Sequence, residues 1–110
     1  QSLDCHMYQR SADMFLGVPF NIASYSLLMH ILGKVLDLTP RYFIHSFGDA
    51  HIYLNSVEQV KEQVLRKPKE RPILKMPKID SIEDLIDCNI DDFILEGYDP
   101  HPPIRAEMAV

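Results

Sequence analysis

Hydrophobic and polar positions divide the first part of the chain into a strand and a long helix. Residues 3–10 alternate between apolar and polar side chains, which is typical of a strand. Gly17 and Pro19 then interrupt the pattern before a helix predicted over about residues 20–35. Because that helix has little polar face, the sequence predicts that it is buried in the core.

Shorter elements are predicted along the rest of the chain. Extended segments are predicted at residues 42–46, 50–54, 73–76 and 93–95. An amphipathic surface helix is predicted over residues 56–66, and a shorter one after Ser81, whose hydroxyl can cap it with Asp84 three residues on. Beyond Gly97 the chain has three prolines and few apolar residues, so we expect a mobile surface tail.

Together these elements predict a fold class for the whole chain. The class is α/β, in its α+β form, with a mixed β-sheet packed on the long buried central helix and a mobile C-terminal tail. With 110 residues, the chain has the length of one domain or of part of one. Gln1 stands next to the first predicted strand, so we expect the natural N-terminus to lie upstream of it.

Composition and charge narrow the classes of function. The chain is 46% hydrophobic and 25% charged, which is ordinary for a globular protein. Its net charge of -5 argues against nucleic acid as the main partner, because binders of nucleic acid carry a basic excess. Four basic residues do gather in sequence, and we interpret them as solvated side chains around a loop proline rather than as a binding patch. These residues are Arg66, Lys67, Lys69 and Arg71.

Cysteine usage and the apolar pattern indicate a cytoplasmic protein without a membrane anchor. Two cysteines do not make a disulfide framework, and nothing resembles a secretory leader. Ser24, Ser26 and His30 interrupt the longest apolar stretch, which falls short of a membrane span. No set of His, Cys and acidic residues has the spacing of metal ligands, so we expect no metal.

Candidate binding residues gather between the first strand and the long helix. Arg10 can hold an anion with a planar fork of donors, and Ser11 can add one more hydrogen bond. Asn21 offers a donor and an acceptor side by side, which suits the edge of a pyrimidine. An anion site at one end and a base site at the other indicate nucleotide binding. The alternatives are a surface salt bridge for Arg10 and a helix N-terminal cap for Asn21.

The same segments resemble the thymidylate synthases. The resemblance begins with Gln-Arg-Ser-Ala-Asp at residues 9–13 and Leu-Gly-Val-Pro-Phe-Asn-Ile-Ala-Ser-Tyr at residues 16–25. It continues through residues 48–53 and 96–102 and covers essentially the whole chain. It is a resemblance to the C-terminal part of such an enzyme, so residues 1–110 are expected to be the C-terminal part of a single catalytic domain.

The resemblance implies an activity and its partners. The complete enzyme would be a methyltransferase of nucleotide biosynthesis that converts dUMP to dTMP by reductive methylation. The co-substrate would be 5,10-methylenetetrahydrofolate, and no metal would be needed. The expected partners of this segment are dUMP, folate, the upstream part of the same enzyme and a second copy in a homodimer.

The resemblance also implies two sets of binding residues. The residues matched to dUMP contacts are Arg10, Ser11, Asp13, Asn21, His51 and Tyr53. The residues matched to the folate site are Asp13, Leu16, Gly17, Phe20, Ala109 and Val110. In the first set, Arg10 and Ser11 would hold the phosphate and Asn21 would read the base. His51 and Tyr53, two apart on extended chain, would hold the 3′-hydroxyl of the deoxyribose. For the last residues of the chain, a frayed end is the alternative to a closing lid.

Neither cysteine fits the nucleophile of that family. The family's nucleophile is a cysteine that follows proline and precedes histidine, whereas Cys5 follows Asp4. Cys5 and Arg10 are an odd number of positions apart on the predicted strand, so their side chains point to opposite faces. Cys88 lies in an acidic segment and is no better placed. We therefore expect no catalytic residue in this segment, a nucleophilic cysteine upstream, and no activity of the segment alone.

Two alternative functions stay open. The deoxycytidylate hydroxymethylases resemble the same fold but tend to carry an acid where this chain has Asn21, so the amide favours uracil. Because the nucleophile is missing, the chain could also be an inactive fragment or an interaction remnant.

Overall fold

The computed structural model describes residues 1–108 as a mixture of helices and strands. The strands are β1 (Ser2–Asp13), β2 (Thr39–His51), β3 (Ile73–Lys75) and β4 (Ile94–Glu96), and the α-helices are α1 (Val18–Leu36), α2 (Val57–Leu65) and α3 (Ile82–Asp87). Single 3₁₀ turns cover Leu54–Ser56 and Ile90–Asp92. The strands form two small sheets, β1 with β2 and β3 with β4. The predicted α+β class is confirmed.

The largest unit is a parallel pair of strands joined by the long helix. β1 and β2 run parallel, with Ser2 opposite Thr39 at one end and Asp13 opposite His51 at the other. Parallel neighbours need a long crossover connection, and α1 provides it. Tyr25 on α1 stacks on Phe43 of β2 with ring centroids 6.2 Å apart, so the helix packs on one face of this pair. Both strands therefore end at the same edge.

A glycine allows the chain to return tightly from α1 into β2. Asp37 ends the helix in the left-handed conformation, with φ at 53°. The next N–H, of Leu38, donates to the carbonyl of Gly33 over 2.8 Å. A Cβ at Gly33 would lie 2.7 Å from the Leu38 carbonyl oxygen and 2.9 Å from Cγ of Pro40. Only glycine fits this crossing without a shift of the backbone.

β2 is one continuous strand, whereas the sequence predicted two pieces separated by the segment around Gly48. The strand continues because β1 extends alongside it, pairing Ser11 with Asp49 and Ala12 with Ala50. A Cβ at Gly48 would lie 2.6 Å from the hydroxyl oxygen of Tyr8. This glycine therefore permits a close approach between strands rather than a turn.

The long helix is less buried than its composition predicted. Only Val18, Met29 and Gly33 are buried among its 19 residues. Ile22 and Leu28 are 45% and 43% exposed, and Phe20 is 73% exposed. The reason is that two strands cover one side of the helix, and little else of the described chain lies against the other. The buried hydrophobic residues are Ala12, Phe15, Val18, Met29 and Ile79.

Side-chain hydrogen bonds cap the N-terminus of the short helix α3, as predicted. Ser81 caps it, because its hydroxyl oxygen accepts a hydrogen bond from the backbone N–H of Asp84 over 3.1 Å. The Asp84 carboxylate in turn accepts from the N–H of Asp80 over 2.9 Å. These two bonds satisfy donors that a helix start otherwise leaves unpaired.

Residues 98–108 form no helix or strand, but side chains tie them to the region around α2. Lys69 forms an ion pair with Asp99 at 2.7 Å, and the Arg66 guanidinium donates to the carbonyl of Pro102. The ring of His101 donates from Nε2 to the carbonyl of Lys67 over 2.8 Å. Three of the four gathered basic residues thus contact the tail, which the prediction of a mobile segment did not foresee.

Within the described chain, no helix combines the length and the apolar character that crossing a membrane requires.

Candidate functional site

The edge where β1 and β2 end gathers several of the predicted binding residues. Asp13 and His51 are paired in register at the last positions of the two strands. The chain turns directly into α1, with the N–H of Gly17 donating to the Asp13 carbonyl over 3.0 Å. The N–H of Asn21 donates to the Gly17 carbonyl over 3.1 Å, which starts the helix. The carboxyl ends of parallel strands are where open α/β sheets bind ligands.

The Asp13 carboxylate shapes the turn. Its Oδ1 accepts hydrogen bonds from the N–H groups of Phe15 at 3.0 Å and Leu16 at 3.1 Å. This Asx-type turn fixes the carboxylate at the mouth of the helix. None of the hydrogen bonds found among residues 1–108 uses its Oδ2. The predicted folate-wall residues Leu16, Gly17 and Phe20 follow within this turn and the first turn of α1.

Asn21 lies inside α1 and does not cap it. The N-terminal cap position belongs to Gly17, so the alternative of a capping role for Asn21 is wrong. Instead its Oδ1 accepts a hydrogen bond from Nε2 of Gln9 over 3.1 Å. Gln9 also donates to the carbonyl of Ser11 and accepts from Nε2 of His45. The resemblance included Gln9 without giving it a role, and no sequence signal assigned His45 to this site.

Arg10 and Ser11 are exposed near the end of β1. Exposure alternates along residues 2–10, with Gln9 in the half-buried set that faces α1 and Arg10 in the exposed set. Among residues 1–108 the Arg10 guanidinium forms no ion pair. Gln9, its neighbour in sequence, provides the link to Asn21, while the structure records no direct contact between Arg10 and Asn21. A common pocket for the two stays a prediction.

His51 and Tyr53 lie side by side. Their rings meet edge to face, with centroids 5.1 Å apart and planes at 84°. Nδ1 of His51 lies 3.4 Å from Oδ1 of Asp49 and 3.3 Å from the Asp49 carbonyl oxygen. Asp49 thereby orients the imidazole, and the imidazole supports the Tyr53 ring. This pair stands next to Asp13 at the strand ends.

The two cysteines lie in the middle of β1 and directly after α3. Cys5 is half-buried in the middle of β1, in the set of residues that alternates with the exposed Arg10. Partial burial raises the pKa of the Cys88 thiol, and the negative charges of Asp92 and Asp84 raise it further. A thiol with a raised pKa is a poor nucleophile because little of it is thiolate near neutral pH. Residues Ala109 and Val110, predicted to close the folate site, lie outside the described residues.

No metal centre is found in the described part of the chain, because no three His, Cys, Asp or Glu side chains there are grouped to hold an ion. Two surface grooves lie elsewhere. One lies at the C-terminal end of α1, near His30 and Asp80. The other lies between Gln59 and Arg105. Of residues 1–108, none that is predicted to bind dUMP or folate lines either groove.

The parallel β1–α1–β2 unit, with polar side chains at its strand ends, places the chain in the mixed α+β class. Within that class, the family model described as thymidylate synthase matches residues 1–110, the whole chain. The chain belongs to the thymidylate synthase family. This family comprises methyltransferases of dTMP biosynthesis that bind dUMP and a folate co-substrate.

Proposed function

We propose that residues 1–110 form the C-terminal part of a single thymidylate synthase domain and supply its nucleotide and folate contacts. The complete enzyme converts dUMP to dTMP with 5,10-methylenetetrahydrofolate. The observation that supports this proposal is the convergence of Asp13, Asn21 and His51 at the end of one parallel strand pair. These side chains come from three separate elements. A nucleotide-binding site at this end of the strand pair would account for their arrangement.

Each proposed contact follows from the chemistry of its side chain. Arg10 and Ser11 bind the phosphate, because a guanidinium donates two parallel hydrogen bonds to an oxyanion. Asn21 reads the uracil edge, donating to O4 and accepting from N3–H. His51 and Tyr53 hydrogen-bond the 3′-hydroxyl of the sugar. The exposed ring of Phe20 offers an apolar wall against which a pteridine can lie.

The folate wall is completed by residues of the turn and of the chain's end. Asp13 bonds the pteridine through the oxygen that the turn leaves available, and Leu16 and Gly17 border it. Ala109 and Val110 close over the co-substrate and exclude water, which strengthens electrostatic interactions inside the site.

The nucleophile is proposed to be a cysteine upstream of Gln1. Its sulfur adds to C6 of the uracil ring, and C5 then becomes nucleophilic toward the one-carbon unit. The folate supplies both that carbon and the hydride that completes the methyl group, and leaves as dihydrofolate. We place the complete enzyme in the cytoplasm as a homodimer that requires no metal, as the family resemblance supports.

The test is an assay of the full natural protein that contains residues 1–110. With dUMP and methylenetetrahydrofolate, we expect dTMP and an equal amount of dihydrofolate, which is followed by its absorbance. The 110-residue chain alone is expected to give neither product. Arg10→Ala should raise the KM for dUMP about tenfold or more, since a charged hydrogen bond is lost. Arg41→Ala is the control: Arg41 forms an ion pair with Asp4, and its loss should leave the KM for dUMP unchanged.

Each alternative function predicts a different result. A hydroxymethylase forms a hydroxymethylated nucleotide without dihydrofolate. An interaction remnant forms no product, and dUMP does not raise the melting temperature even with the upstream segment present. Either result overturns the proposal.

A further inference from the structure

A chain of hydrogen bonds on the helix-facing side of the sheet leads from β2 to the Asn21 amide. Nε2 of His45 lies 2.9 Å from Oε1 of Gln9. Nε2 of Gln9 lies 3.0 Å from the carbonyl oxygen of Ser11 and 3.1 Å from Oδ1 of Asn21. The three side chains that form these hydrogen bonds, His45, Gln9 and Asn21, are half-buried. A hydrogen bond shielded from water in this way is stronger than one that is fully solvated.

The Ser11 carbonyl fixes the direction of every bond in this chain. A backbone carbonyl only accepts, so the atom of Gln9 that faces it must be the amide nitrogen. Gln9 Oε1 then faces His45, and since it also only accepts, Nε2 of His45 carries the proton that is donated. The second hydrogen on Gln9 Nε2 points at Asn21, whose facing atom must be its oxygen. No amide along the chain can turn over without placing two acceptors or two donors against each other.

Packing holds the imidazole in the position that this chain requires. The His45 ring lies between two phenyl rings of the same strand, with centroids 5.3 Å from Phe43 and 4.1 Å from Phe47. Tyr25 of α1 stacks on Phe43 and extends the row. Nδ1 of His45 is buried and has no partner among residues 1–108, so Nε2 makes the ring's hydrogen bond.

We propose that His45 and Gln9 are positioning residues that set the orientation of the Asn21 amide and thereby select uracil over cytosine. The inference rests on the proposed function, in which Asn21 reads the base. With its oxygen held by Gln9, Asn21 turns its amide nitrogen away and keeps one acceptor site on the oxygen. Uracil presents an acceptor at O4 beside a donor at N3, which matches. Cytosine presents a donor at N4 beside an acceptor at N3, which does not.

Two substitutions of Gln9 test this in the full natural protein. Gln9→Glu replaces the donor facing Asn21 with an acceptor, so Asn21 turns over and presents its oxygen to the O4 position. The ratio of the dissociation constants of dCMP and dUMP should then fall about tenfold or more, equivalent to about 1.4 kcal/mol. Gln9→Leu removes the constraint, and the ratio should fall by a smaller factor. The ratio is the readout because a general loss of packing weakens both nucleotides together.

A matched pair at His45 separates hydrogen bonding from packing. His45→Phe keeps an aromatic ring in the row but has no donor, and it should lower the ratio about threefold or more. His45→Gln restores an N–H at a similar reach and should return the ratio toward the wild-type value. His6→Phe is the control, because His6 bonds Ser46 on the exposed side of β1 and should leave the ratio unchanged.

A second measurement does not need nucleotide binding. In the protein without ligand, the Nε2 proton of His45 should give a slowly exchanging NMR resonance that Gln9→Leu removes. If dUMP does not bind the wild-type protein, the proposed function fails, while this resonance still tests the hydrogen-bond chain. If dUMP binds but the ratio stays within twofold in both Gln9→Glu and His45→Phe, the positioning role is wrong.

Discussion

The ring of Tyr53 rests edge to face against the imidazole of His51, with centroids 5.1 Å apart. Asp49 lies behind the imidazole, 3.4 Å from Nδ1, so Asp49 and His51 together hold the tyrosine in one orientation. Aromatic pairs of this geometry are stabilised beyond the area that they bury. The phenol is therefore held at the strand ends before any ligand arrives.

Tyr53→Phe removes the hydroxyl and keeps the ring contact with His51. We expect the affinity for dUMP to fall about fivefold, as for the loss of one neutral hydrogen bond of about 1 kcal/mol. The affinity for an analogue without the 3′-hydroxyl should not change. Isothermal titration of both nucleotides measures this. Tyr42→Phe, in which the exposed ring stacks with Arg41 instead, is the control. An equal loss for both nucleotides would assign Tyr53 a structural role.

Asn21→Asp replaces the amide nitrogen with a second acceptor. Gln9 still donates to one carboxylate oxygen, and the other faces the donor of cytosine at N4. We expect nucleotide preference to shift from dUMP toward dCMP in competition binding to the full protein. Asn89→Asp is the control, because the oxygen of Asn89 accepts a hydrogen bond from the N–H of Asp91 within its own turn. An unchanged preference would mean that Asn21 does not contact the base.

We expect that both cysteines of this segment can be replaced without loss of turnover by the full protein. Cys5 is half-buried within β1, and partial burial, followed by the charges of nearby acidic residues, raises the pKa of the Cys88 thiol. The double variant Cys5→Ser, Cys88→Ser should therefore retain kcat within about threefold, because neither thiol takes part in the proposed reaction and both sites are only half-buried. Loss of turnover with intact dUMP binding would identify one of them as the nucleophile.

Ser81→Ala removes the cap of α3. The Asp84 N–H then loses its acceptor, which should lower the free energy of unfolding by about 1 kcal/mol. Urea denaturation of the full protein measures the change. Ser2→Ala, at an exposed position of β1, should have a much smaller effect. Similar losses from both variants would show that the cap contributes nothing.

The ion pair between Asp4 and Arg41 should make stability depend on pH on the acid side. The Arg41 guanidinium, and after it the N–H of Tyr42, lower the pKa of the Asp4 carboxyl below its ordinary value. A carboxyl whose pKa is lower in the folded state stabilises the fold above its unfolded pKa, and that contribution is lost as pH falls through the folded pKa. Asp4→Asn should therefore destabilise the protein at about pH 7 and progressively less toward about pH 3.

Thermal melts across this range measure the effect. Glu70→Gln is the control, because Glu70 is exposed and forms no ion pair among residues 1–108. A destabilisation by Asp4→Asn that is the same at every pH would show that the charge of Asp4 is not involved.

Local sequence patterns predicted most of the elements, and pairing between distant segments decided the rest. Ser81 and Asp84 are three residues apart, so their cap could be predicted from sequence. The sequence placed Gly48 between two predicted extended segments, at residues 42–46 and 50–54. Its actual role depends on Tyr8, forty positions away, whose ring crosses the strand at this point. Such a contact has no local signature.

The candidate site likewise combines features that the sequence predicted with contacts between distant segments that it could not predict. Asn21 was identified through the resemblance, but the sequence could not say what orients its amide. Gln9 and His45 lie on different strands, and only the parallel register brings them together. The degree of burial of α1 was also overestimated, because composition indicates that a helix is apolar and not how many elements cover it.

The uncovered side of α1 affects how this segment can be handled. Ile22 and Leu28 are nearly half exposed to water, and Phe20 still more. Exposed apolar side chains of this kind promote aggregation during refolding and at high protein concentration. Produced by itself, the 110-residue chain should bind hydrophobic dyes and precipitate readily, so its purification should need low protein concentration or a mild detergent.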